Sequence, residues 1–118
     1  ILPVGEPTVE EEGTSRLVVT CPVAHVGRVR ITCEEDQVAF HVEREGHPQD
    51  WALALQWTNR IEPPAEASDA NILSYSHNHF AYRVTLSQGR FDGREAADKN
   101  RILILPDRDS IVFDLSHR

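Results

Sequence analysis

Long apolar runs are missing from this 118-residue chain. None approaches the roughly 18 consecutive apolar residues of a membrane-spanning helix, so direct insertion by that route is not expected. Positive charge is scarce as well: 12 Lys and Arg stand against 19 Asp and Glu, for a formal net charge of −7. A nucleic-acid partner needs a cationic surface, and an anionic membrane face attracts the same sign, so the charge argues against both. Methionine is absent and the first residue is Ile1. We read the chain as a segment of a longer protein. Cysteine is limited to Cys21 and Cys33, whose spacing is not the C-x2–4-C pairing of a zinc site. In an oxidising compartment they suit one bridge, and otherwise two buried thiols.

Catalytic signatures are equally thin. There is no glycine-rich phosphate loop, and Ser74, Ser76 and Ser87 lack the Gly-x-Ser-x-Gly turn that exposes a nucleophilic hydroxyl. A cysteine nucleophile needs an accessible thiol of lowered pKa, whereas Cys21 and Cys33 sit in apolar strand patterns. Glu34, Glu35 and Asp36 read as a solvated turn rather than paired catalytic carboxylates. Asn59, Asn71, Asn78 and Asn100 are not followed by x-Ser/Thr, so they offer no N-glycan acceptor.

What is present is a period of two. Val29–Cys33, Val38–Glu43, Trp51–Trp57 and Phe80–Leu86 alternate apolar and polar residues, as half-buried strands require. Leu17–Cys21, Arg101–Leu105 and Ser110–Leu115 add short runs rich in Val, Ile and Leu, and the stretch Asn71–Phe80 completes eight candidates. Trp51, Leu53, Leu55 and Trp57 fall on one strand face and are expected in the core with Val38, Phe40 and Val42. Turns are expected at Glu45–Pro48, Gln88–Gly89 and Pro106–Asp109. Glu62–Asp69 reads as an exposed loop, and Gly93–Asn100 is the one stretch with helix-favouring content. Residues 1–15, with Glu10-Glu11-Glu12, have the composition of an acidic leader or linker. Residues 16–118 then form one domain, an all-β, immunoglobulin-like antiparallel β-sandwich of about eight short strands.

The stretch Asn71–Phe80, NILSYSHNHF, concentrates polar residues on a strand. His77 and His79 form an H-x-H pair, which opens a metal-dependent reading. Tyr82 and Arg83 stand where the cupin-type metal site needs a carboxylate, and no third histidine lies at strand spacing. The expectation is a recognition strand with solvent-facing histidines, with no metal, no cofactor and no catalysis. Six histidines on a chain of charge −7 make acidification lower the net negative charge.

Asp69-x-Asn71-Ile72-Leu73-Ser74-Tyr75-Ser76-His77-Asn78 resembles a late strand of the zona pellucida N-terminal (ZP-N) module, with Tyr75 at the hallmark tyrosine. Thr32-Cys33-Glu34-Glu35-Asp36-Gln37-Val38-Ala39-Phe40-His41-Val42 is similar to that module's first strand. Leu17–Pro22 looks like the closing strand of a preceding copy. The resemblance spans roughly 29–115, with its specific part confined to about twenty residues. It implies a non-catalytic module for recognition or polymerisation in a secreted protein or ectodomain, such as an egg-coat component or the ciliated left-right organiser protein carrying ZP-N modules. Its partners would be other proteins, other ZP-N modules of the same chain, or further copies in a homo-oligomer. The family's cysteines near Glu62–Ala70 and Asp114 are absent here. The resemblance therefore leaves Cys33 with Cys21 as its expected disulfide partner. A fibronectin- or immunoglobulin-type adhesion domain, with Trp51 or Trp57 as core tryptophan, is the alternative. A small β-fold metal-dependent enzyme using His77 and His79 is a third class.

Overall fold

Cross-strand pairing turns the period-two pattern into one continuous apolar surface. The computed structural model describes residues 6–23, 26–45, 50–56, 66–77, 79–97 and 101–115. They form eleven strands: β1 (Thr8–Glu12), β2 (Arg16–Val23), β3 (Gly27–Glu34), β4 (Gln37–Arg44), β5 (Leu53–Gln56), β6 (Glu66–Asp69), β7 (Ile72–His77), β8 (Phe80–Gln88), β9 (Arg90–Ala97), β10 (Arg101–Leu105) and β11 (Ser110–Asp114). The hydrogen-bonded order is β1-β2-β3-β4-β11-β8-β7-β6-β9-β10-β5, and its pairings are antiparallel. The link from β6 to β9 is a single residue pair, Glu66 with Glu95. The order thus divides there into an eight-stranded sheet and a three-stranded one, β9-β10-β5.

The registers show why the sheets stack. Ile31 lies opposite Phe40, Phe40 opposite Ile111, Phe113 opposite Leu86, and Leu73 opposite Val84. Opposed residues share a face, so this apolar row crosses the larger sheet. On the smaller sheet Leu53 opposes Ile104, Leu55 opposes Ile102, and Ile104 also opposes Phe91. The two rows meet in one core in which Leu73, Leu86, Ile104 and Ile111 are fully enclosed, with Val42, Trp51, Phe91 and Ile102 around them. This is the expected antiparallel β-sandwich.

Four local expectations change. Arg90–Ala97 is strand β9, so over residues 93–97 the helix-favouring composition yields to pairing with β10 and β6, because propensity is a weak prior against tertiary contact, and residues 98–100 lie outside the described residues. Glu66–Asp69, within the expected loop, pairs with β7. Thr8–Glu12, within the expected leader, pairs with β2. The strand expected over Trp51–Trp57 is regular only from Leu53 to Gln56. Trp51 is buried just before it, Leu53 and Leu55 are half-buried, and Trp57 lies outside the described residues. Val42 is buried as expected, while Val38 and Phe40 are half-buried.

The expected Cys21–Cys33 bridge is not formed, and both residues are thiols. β2 and β3 pair with Cys21 opposite Val29 and Cys33 opposite Leu17. The two Cα atoms are therefore four residue pairs apart, about 13 Å along the strands. A disulfide needs Cα atoms within about 7 Å.

Candidate interaction surface

Strand β8 carries its apolar side chains out of the core. Phe80, Tyr82, Val84 and Leu86 alternate along it and so lie on one face. Leu86 is 1% exposed, Val84 half-buried, Tyr82 44% exposed and Phe80 66% exposed. The row that begins in the core therefore ends in solvent. The β7–β8 hairpin holds this end, with Ser74 opposite Arg83, Tyr75 opposite Tyr82 and His77 opposite Phe80. The Tyr75 and Tyr82 rings stack with centroids 5.1 Å apart and planes inclined by 22°. Offset stacking of this kind adds roughly 0.5–1.5 kcal/mol beyond area burial and fixes the orientation of the exposed partner.

Beside this end lies an open apolar cleft of about 340 Å³, lined by Val38, Phe40, Leu55, Val84, Phe113 and Leu115, with Arg83 and Asp114 among its polar residues. Phe113 meets Phe40 edge-on at 5.9 Å. Leu115 is 45% exposed, and its amide donates to the Asp36 carbonyl at 2.8 Å, which holds the end of β11 beside the β3–β4 turn. Exposed aromatics next to a preformed apolar cleft are suited to anchoring a macromolecular partner.

Tyr75 is half-buried and packs against the core from its strand. Its ring supports Tyr82, so Tyr75 bears on the surface through its neighbour. His77 belongs to β7, but its side chain lies outside what the structure describes. His79 is exposed in the turn between β7 and β8, at a φ of 69°. Among the described residues no group of three or more His, Cys, Asp or Glu is arranged to hold a metal ion.

A second polar feature was not anticipated from sequence. Arg44 on β4 donates from Nε and Nη2 to the two carboxylate oxygens of Asp109, both at 2.8 Å, and Trp51 Nε1 donates to Asp109 Oδ1 at 3.0 Å. The Arg44 guanidinium, and then the Trp51 donor, hold the Asp109 carboxyl below the usual carboxylate range, against the opposing effect of burial. Asp109 in turn raises Arg44. The Asp109 carbonyl also accepts from the Val42 amide at 2.9 Å. Partners separated by 65 and 58 residues leave no spacing signal, and Pro106–Asp109 reads from sequence only as a turn.

Comparison of the chain with protein-family models, with curated proteins and with solved structures finds no match.

Proposed function

We propose that this chain is a protein–protein recognition module, of ZP-N-like character, within a larger secreted or membrane-anchored extracellular protein. The observation that carries the reading is the apolar row of β8, which leaves the core and presents Tyr82 and Phe80 beside an open cleft. Aromatic anchors at the centre of a contact supply a large share of binding energy, and stacking on Tyr75 keeps Tyr82 ordered before the partner arrives. The partner we favour is another module of the same kind, in the same chain or in a second copy. No catalytic role is proposed. The burial of Trp51 also suits the alternative of a fibronectin- or immunoglobulin-type adhesion domain, which would use the same surface.

Sedimentation velocity over a concentration series tests the reading. The unmodified domain is expected to sediment faster as concentration rises. Phe80→Arg should abolish that trend without moving the melting temperature, because the side chain is mostly in solvent. A concentration-independent monomer in both proteins would rule out contact between like modules.

A further inference from the structure

The turn between β10 and β11 and the start of β9 each present an arginine that has no hydrogen-bond or ion-pair partner among the described residues. Arg108 and Asp109 have φ values of 52° and 58°, and Asp107 and Ser110 exchange backbone hydrogen bonds of 3.0 Å around them. A two-residue loop with both residues at positive φ follows the type I′ pattern, for which Asn-Gly is the usual choice because a Cβ is crowded in that conformation. Asp109 has a structural reason to be there, since it holds Arg44 and Trp51. Arg108 has none: it makes no hydrogen bond or ion pair with any described residue. A strained, non-glycine conformation without structural return points to a side chain retained for another purpose.

That side chain lines a hollow of about 460 Å³ whose walls also include Arg44, Asp50, Trp51, Arg90 and Asp109. Arg90 is placed there by pairing with Leu105, immediately after Gly89. It too has no hydrogen bond or ion pair among the described residues. Both acids of the hollow face Arg44, with Asp109 at 2.8 Å and Asp50 at 3.8 Å. Two guanidinium groups are thus left uncommitted at one concavity of a chain whose net charge is −7. Guanidinium forks match tetrahedral oxyanions with paired, charge-assisted hydrogen bonds. The hollow is far larger than the roughly 30 Å³ share of one water molecule, so a bare ion would leave most of it unfilled.

We propose that this hollow binds a sulfate or phosphate monoester carried on a sugar-sized body. Arg90 and Arg108 hold the oxyanion, and the Arg44–Asp109–Trp51 cluster forms a fixed wall behind it. The geometry is independent of the aromatic surface on β8, so either site can fail without the other.

Thermal melting at constant ionic strength tests the site, using glucose 6-sulfate, glucose 6-phosphate, inorganic sulfate, inorganic phosphate and glucose. A saturable rise in melting temperature is expected with the esters, a weaker one with the inorganic ions and none with glucose. Arg90→Gln and Arg108→Gly should each weaken ester binding by about tenfold or more, the loss expected for a charge-assisted hydrogen bond. Arg108→Gly has a second readout. Glycine accepts the positive φ, so the ligand-free variant should melt higher than the parent protein, whereas loss of a merely structural arginine would lower it. A saturable ester shift that survives in both variants would overturn the proposal. So would a rise that never saturates and is equal in all three proteins, which is the general effect of excluded salts. Equal affinity for inorganic sulfate and its sugar ester would overturn the sugar-sized body.

Discussion

Gly89 stands where the chain leaves the larger sheet for the smaller one, between the last residue of β8 and the first of β9. From sequence, Gln88-Gly89 reads as a turn, yet β8 and β9 are not paired to each other and the residue works as a crossing point between layers. Its φ is 97°, and a Cβ added there would meet the Leu105 carbonyl oxygen at 3.0 Å and Ile111 Cγ1 at 3.3 Å. Ile111 is fully buried, so its side chain has little room to yield. Gly93 has nearly the same φ, 96°, but open space around it. Gly89→Ala should therefore destabilise by about 1–3 kcal/mol, from backbone strain plus contact. Gly93→Ala should cost less, since strain acts there without contact. Urea midpoints of the two variants check the order, and a larger loss at Gly93 would show that crowding at the crossing is not what matters.

At the scale of elements, strands were legible wherever one face is buried, because alternation is imposed by that burial. Val29–Cys33, Val38–Glu43 and Phe80–Leu86 all follow this rule. β1, β6 and β9 were not legible. Thr8–Glu12 and Glu66–Asp69 contain too few apolar residues to alternate, and Gly93–Ala97 carries helix formers. Their pairing comes from neighbours already in place. The candidate surface was partly legible in the same way: the apolar row of β8 is visible in sequence, but where it leaves the core depends on how far the smaller sheet covers it. The Arg44–Asp109–Trp51 cluster depends on contacts between distant strands and a turn, and no local pattern announces it. Register also settles the cysteines. With Cys21 opposite Val29 and Cys33 opposite Leu17, a bridge would require a slip of β2 past β3 by four residues. A slip of that size is even and leaves each side chain on its face, but it keeps only four of the eight residue pairs that join β2 to β3. Alkylation after denaturation, without reductant, should therefore add two groups by intact mass. Addition of none until reductant is supplied would contradict the register.

For the whole molecule, charge and apolar surface act against each other. The sheet ends on one side at β1, where Glu10 and Glu12 are exposed beside Val9, itself 54% exposed. Acidic residues on an edge strand oppose pairing with a second sheet. Arg30 on β3 lies 3.1 Å from both Glu10 and Glu43, and the Thr20 hydroxyl, followed by Arg30, holds the Glu10 carboxyl below its ordinary range against the opposing effect of desolvation. Glu10 therefore keeps its charge further into the acid range than a free glutamate would. The chain as a whole does not, since its net charge of −7 falls to zero near pH 5.3. Repulsion between copies is long-range and non-specific, whereas the attraction proposed for Tyr82 and Phe80 is local and apolar. Lowering the pH from 7.5 toward 5.5 should then strengthen association by removing the opposing term, and raising salt at pH 7.5 should do the same by screening it. Phe80→Ser combined with Tyr82→Ser leaves the net charge unchanged and removes only the apolar contact. Light scattering across that pH range should show association rising in the parent protein and staying flat in the double variant. An equal rise in both would mean that neutralisation alone drives association, with the β8 aromatics playing no part in it.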